Sequence, residues 1–259
     1  MSVYISVVIP VYNSRDTLEI LCKRISFTFE KMNSVNYEII LVDDGSQDSS
    51  YEKMVEIYHK NSNVSIIQLS QNFGQQNAIM CGLNFARGEY VVTLDDDFQH
   101  PPEEIIKLLD KIKKGYDVVF GIPINKKHSY YRNTGTKLIS ILFNKVCRKP
   151  KDVEVSSFRI IQKAVAKEII RDKRSFVYLA PIIFKITTNV EMVSVRHDAR
   201  KYGQSNYTFI KLVTLLGKLI IYYTNMFKIA YLSSKPQYEI KDLKFRGDYN
   251  NEAIDSRRK

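Results

Sequence analysis

Five short runs of mostly apolar residues alternate with amphipathic stretches over the first 121 residues, and no other feature restricts the fold as strongly. The runs are Tyr4–Pro10, Tyr37–Val42, Val64–Leu69, Tyr90–Leu94 and Asp117–Gly121. Helical patterns lie between them, from Asn13–Ser14 to Met32, from Ser49 to His59, after the polar loop Ser70–Gly74 to Ala86, and from Pro102 to Lys114. A strand that is apolar along its whole length needs cover on both faces, and intervening helices supply it. The pattern therefore predicts an α/β fold with a mostly parallel central sheet. In such sheets ligands bind beyond the carboxyl ends of the strands, where the strand order reverses.

Three polar clusters sit at those ends: Pro10–Ser14, Asp43–Ser46 and Asp95–Gln99. The third, Asp95-Asp96-Asp97-Phe98-Gln99, closes an apolar strand just before a helix start at Pro101-Pro102-Glu103. If the extended backbone continued, Asp95, Asp97 and Gln99 would share one side and Asp96 would take the other. Hard oxygen donors in small number suit Mg²⁺ or Mn²⁺, which keep waters and take further ligands from substrate phosphates. Helix capping is the simpler use of an acid here, but one acid would serve it and three adjacent acids repel. Neither a GxGxxG nor a GxxxxGK[ST] fingerprint is present, which argues against a dinucleotide fold or a P-loop NTPase.

Charge divides the chain. Residues 1–117 carry 11 Lys/Arg against 17 Asp/Glu, whereas residues 118–259 carry 28 against 11, a balance of +17. Eight of those cations fall between 118 and 151 with no acid among them, and Tyr131–Val146 has apolar residues at helical spacing. Such asymmetry calls for an anionic partner: nucleic acid, an anionic membrane surface or a phosphorylated substrate. No RNP, KH or helix-turn-helix signature appears, so a nucleic-acid module is a distant alternative and no nucleic-acid partner is expected. Asn206–Leu232 is strongly apolar but broken by Lys211, Lys218 and Lys228, which leaves no window of roughly 20 uncharged residues for a membrane span. It reads as an amphipathic helix lying in the headgroup layer, or else packed on the core. The three cysteines are scattered and form no CxxC, which disfavours disulfides and zinc. The start of the chain has no basic leader, so an intracellular location is expected.

With these clusters in place the chain resembles the family 2 glycosyltransferases, in particular the branch of dolichyl-phosphate mannose synthase and bacterial polyprenyl-phosphate sugar transferases. The resemblance rests on Val8–Asn13, Leu41–Ser46, Asn72–Gln75, Leu94–Glu103, Ser157–Arg159 and Arg200–Ser205, in that order. It implies a GT-A fold, a nucleotide-diphospho-sugar donor and Mg²⁺ or Mn²⁺. Pro10, Tyr12 and Asp43 resemble base-binding residues, with Ser14, Asp44 and Asp96 beside them. Asp95 resembles the donor-contacting acid of a DxD motif, and Asp95, Asp97 and Gln99 the metal ligands. Arg132 and Arg200 resemble phosphate-binding arginines. Two departures stand out: Gly121-Ile122-Pro123 where relatives have Gly-Ser-Arg, and Ser156-Ser157-Phe158-Arg159 where many have Gly-Asp-Phe-Arg. The second removes an acid proposed as a base, which favours an acceptor that is already ionised, with Arg132, Arg159 or Arg200 positioning it.

The expected organisation is a catalytic domain over 1–205, an amphipathic membrane-associating segment over 206–233 and a charged, flexible tail over 234–259. The expected activity is inverting transfer of a sugar to polyprenyl phosphate at the inner face of the cell membrane, with peripheral attachment and possible homo-oligomers. The alternative acceptor is a lipid-linked saccharide. His100 is expected to be a loop hydrogen-bonder rather than a ligand.

Overall fold

Every residue of β1 (Ile5–Val11) is buried, and so is all of β2 (Tyr37–Asp43) beyond its first residue. Alternate side chains enter two separate cores. Ile5, Val7, Ile9, Ile39 and Leu41 face one, and Val8, Ile40 and Val42 the other. Uninterrupted apolar strands thus gain cover on both sides. The computed structural model describes residues 3–32, 36–124, 144, 146–198, 209–223 and 237–246.

Helix α1 (Arg15–Glu30) turns Leu18, Leu21, Cys22, Ile25 and Phe29 onto the first core, a stripe at helical spacing. Burying one such side chain stabilises by roughly 1.5–3 kcal/mol, more than the differences in helix propensity among ordinary residues, about 0.7 kcal/mol at most. Packing therefore decides where the helix sits. Helices α2 (Ser50–Lys60) and α4 (Ile105–Ile112), the latter entered through a single 3₁₀ turn at Pro102–Glu104, join the same layer. The opposite layer holds α3 (Gln75–Phe85), α5 (Lys163–Ile169) and α6 (Leu179–Ile186). Helix α3 crosses β1 so closely that a Cβ on Gly82 would lie 2.3 Å from Val8 Cγ1.

The remaining strands are β3 (Val64–Leu69), β4 (Tyr90–Thr93), β5 (Val118–Pro123), β6 (Arg159–Gln162), β7 (Val190–Val195) and β8 (Ile240–Lys244). They form one sheet in the order β7-β5-β6-β4-β1-β2-β3-β8. Only β6 and β8 run against the others: β6 is antiparallel to β4 and β5, and β8 to β3. From β1 the chain builds outward through β2 and β3, then returns to place β4 on the other side of β1. The order reverses between β1 and β4.

Two expectations need correction, and one helix was not foreseen. The stretch from 234 onward was expected to be a flexible tail, yet Ile240–Lys244 pairs with β3 and Tyr51 on α2 donates a hydrogen bond to Asp242. A half-polar edge strand has little apolar signature, which hides it in sequence. Helix α6 was not expected; its Pro181 sits in the first turn, where proline costs no hydrogen bond. Strand β4 stops at Thr93, and the backbone turns over Asp96-Asp97, so side-chain alternation does not carry through the acidic run. A last helix, α7 (Phe209–Tyr223), lies within the expected amphipathic segment.

Candidate active site

The ends of β1 and β2 are stitched together by Asp44 N–H donating to Val11 O at 2.8 Å. Asp43 is fully buried; one carboxylate oxygen accepts from Ser46 N–H at 3.1 Å, and the other, Oδ2, has no partner. Burial pushes its pKa up, against the hydrogen bond from Ser46. An orphan buried carboxylate oxygen is costly, and it is a ready acceptor for a ligand N–H. Asp44 is used differently. Its two oxygens take Phe73 N–H at 2.7 Å and Gly74 N–H at 2.9 Å, pinning the loop before α3, and burial raises it to about 6. Asp44 thus has a structural role in holding the loop that precedes α3. Gly45 (φ +73) permits the turn: a Cβ there would sit 2.7 Å from Asn72 N.

Across the switch point, Tyr12 N–H donates to Asp96 Oδ2 at 3.3 Å, which joins the end of β1 to the acidic run. Pro10 pairs in register with Val42, Tyr12 is half exposed, and Ser14 Oγ–H bonds to Tyr12 O at 3.2 Å. Burial pushes Asp96 up to about 6, against the Tyr12 N–H that it accepts. Asn13 (φ 53) and Phe98 (φ 60) both adopt left-handed backbone on the two sides of this junction. For a bulky residue such as Phe98 that conformation is strained. It is held by the buried ring, beneath the Arg24 guanidinium, and by Asp97 Oδ1 accepting Gln99 N–H at 3.0 Å. The acids that follow are anchors: Glu103 takes two hydrogen bonds from Arg24, and Glu104 holds Lys107 and Arg196.

On the other flank of β4, Asp95 accepts Ser157 Oγ–H at 2.5 Å and Gln75 Nε2–H at 2.6 Å. Burial raises its pKa while these donors, led by Ser157, lower it. Asp95 and Asp96 therefore face opposite flanks, as alternation requires, whereas Asp97 turns back on its own loop. His100 departs from expectation: it is buried, stacked on Phe158, and neither ring nitrogen has a hydrogen-bond partner. Burial, with His197 5.1 Å away ring to ring, pushes it down to about 4.

The glycosyl transferase family 2 model matches residues 6–170, close to two thirds of the chain and all of the geometry just described apart from Arg196 and His197. The chain belongs to glycosyl transferase family 2. It is a glycosyltransferase with a GT-A fold. Among solved structures it is similar to glucosyl-3-phosphoglycerate synthase from Mycobacterium tuberculosis in complex with Mn²⁺, uridine diphosphate and phosphoglyceric acid. The two share 16% identity at a TM-score of 0.60, over 84% of this chain and 76% of that one. It is also similar to S. aureus TarS residues 1–349 in complex with UDP-GlcNAc, at 18% identity and a TM-score of 0.52, over 84% and 66%.

Of the residues singled out in this glycosyltransferase, Pro10, Tyr12, Ser14, Asp43, Asp95, Asp96, Asp97 and Gln99 gather along the ends of β1, β2 and β4. Arg132 and Arg200, and the helix expected over Tyr131–Val146 save its last residues, lie outside the described residues. Gln75 and Ser157 are the partners that sequence reading did not pair with Asp95. Both stood within the recognised motifs, but only the antiparallel β4–β6 pairing and the start of α3 bring them to one carboxylate.

Proposed function

We propose that this glycosyltransferase moves a sugar, with inversion, from a nucleotide-diphospho-sugar to polyprenyl phosphate at the inner face of the cell membrane. The observation that carries the donor half is the unpartnered Asp43 Oδ2 beside the exposed Tyr12 at the switch point. A uracil or guanine ring offers the N–H that this oxygen lacks, and the exposed Tyr12 offers it a flat surface. The two neighbours named above bind UDP or UDP-GlcNAc, which makes UDP-sugars the first donors to try.

The acidic run fits a divalent metal of limited protein ligation. Among the described residues no three His, Cys, Asp or Glu side chains converge as an all-protein site would need. Mg²⁺ and Mn²⁺ are commonly held instead by one or two carboxylates plus substrate phosphates. Asp95 and Asp97, with Gln99, would hold the ion, which when bound neutralises charge on the leaving diphosphate. Arg132 and Arg200 are assigned to phosphate on sequence grounds. An acceptor phosphate oxygen then forms the new bond to the anomeric carbon as the bond to the diphosphate breaks on the opposite face. No proton has to be removed, which agrees with a hydroxyl at Ser157.

Membrane attachment is supported by α7. Leu216 and Leu219 are buried and Tyr223 OH accepts Tyr178 N–H at 2.8 Å, which seats one face, while Val213 and Ile221 are exposed on another. No helix among the described residues is long and apolar enough to cross a membrane. An apolar outer face within a basic half suits peripheral docking. A saccharide hydroxyl is the second reading, favoured by Asp96: a carboxyl raised to about 6 can take a proton near neutral pH. Incubation with UDP- and GDP-sugars, Mg²⁺ or Mn²⁺ and undecaprenyl phosphate should yield a metal-dependent glycolipid. Transfer only to lipid-linked saccharides would establish the second reading instead.

A further inference from the structure

Most guanidiniums among the described residues have a carboxylate. Arg24 pairs with Glu103, Arg87 with Glu38, Arg171 with Glu168, Arg174 with Asp172 and Arg196 with Glu104. Arg159 is more buried than any of these, at 4% exposure, and has none. It opens β6 in register with Thr93 and Phe120, so it stands at the site end of the sheet. Its Nε–H reaches Ser157 O at 3.4 Å and its guanidinium carbon lies 5.9 Å from the Phe120 ring centroid. The terminal nitrogens make no hydrogen bond or ion pair with the described residues. Tyr178 and then Asp95 attract it through space, neither as an ion pair.

Burying a cation without a contacting anion is costly. The groups around it deepen the puzzle, because this flank of Asp95 is built of donors: Ser157 Oγ–H and Gln75 Nε2–H already occupy both oxygens of the carboxylate. What is missing is an acceptor with more than one oxygen. From this we infer that Arg159 receives the anionic group of the glycosyl acceptor, a phosphomonoester gripped by the planar fork of its terminal nitrogens. The inference rests on the reading of a phosphate acceptor and assigns it a binding residue. It places the acceptor phosphate on the flank of β4 that Asp95 faces, and leaves the donor base on the Asp43 side. A lipid phosphate and a soluble phosphomonoester share this chemistry, so the test carries both.

The full chain, saturated with Mn²⁺ and UDP, is titrated by calorimetry with geranylgeranyl phosphate, with glycerol 3-phosphate, and with geranylgeraniol as the uncharged control. Arg159→Gln should weaken phosphomonoester binding by roughly 30-fold, the loss expected for a charge-assisted pair, with UDP affinity within about threefold of wild type. Arg159→Lys keeps the charge without the fork and should lose about tenfold; it is the variant to read if the glutamine variant fails to fold. Unchanged phosphomonoester affinity would overturn the inference, as would an equal loss for geranylgeraniol or a loss confined to UDP. Binding of glycerol 3-phosphate alone, still lost in Arg159→Gln, would uphold Arg159 and remove the lipid acceptor.

Discussion

The two flanks of β4 are chemically opposite. Toward β1 and β2 lie carboxylates, Asp43, Asp44 and Asp96, buried and pushed up in pKa; toward β6 lie a hydroxyl and a guanidinium, Ser157 and Arg159. Chain direction explains the split. Parallel strands present their carboxyl ends to the cleft, and the loops after β1, β2 and β4 carry the acids. Strand β6 runs the other way, so its start, with Ser157 and Arg159, reaches the same edge. One reversed strand lets a second kind of chemistry enter the site without disturbing the first.

Mutations on the two flanks should therefore fail differently. The largest effect is expected between them: Asp97→Ala should cut turnover by about 1,000-fold or more with the melting temperature nearly unchanged, and retained activity would remove the metal assignment. Next, Asp43→Asn should weaken UDP binding by about 10- to 100-fold and spare phosphomonoester binding. Equal losses of both ligands, read by calorimetry, would erase the distinction between flanks. Ser157→Ala takes one donor from Asp95 and should cost about tenfold in kcat/KM, recovered in part by Ser157→Thr. An unchanged value would make Ser157 a bystander.

The smallest effect concerns pH and belongs to the acidic flank alone. With Asp44 raised to about 6, the folded chain keeps a proton that the unfolded chain, titrating near 4, has released. Its contribution to stability is complete below about pH 4 and is lost as pH rises through about 6. Replacing Asp44 by Asn should flatten the dependence of melting temperature on pH in that window by a few degrees. A slope as steep as wild type would move its origin elsewhere.

The acidic flank was legible in sequence because its physics is local. Continuous apolar runs announce β1 to β5, and acids at their ends announce the cleft. The donor flank was far less so. Ser157 and Asp95 are 62 residues apart and Gln75 and Asp95 20 apart, and nothing periodic links them. Strand β6 spans four residues, and β8 alternates Ile240 and Leu243 with Lys241, Asp242 and Lys244, so neither has a run long enough to stand out. The backbone of the acidic run was less legible than its acids: the chain leaves the strand after Thr93 and turns over Asp96-Asp97, and Asp97 closes that turn by accepting Gln99 N–H while staying within electrostatic reach of Asp95.

The central claim is that the donor base and the acceptor phosphate occupy opposite flanks of β4. A crystal structure of the full chain with Mn²⁺, UDP and geranylgeranyl phosphate tests it most directly. The account predicts the uracil N–H on Asp43 Oδ2, the metal between Asp95, Asp97 and the diphosphate, and the lipid phosphate on Arg159. A nucleotide base seated against β6, or a lipid phosphate bound away from Arg159, would contradict it.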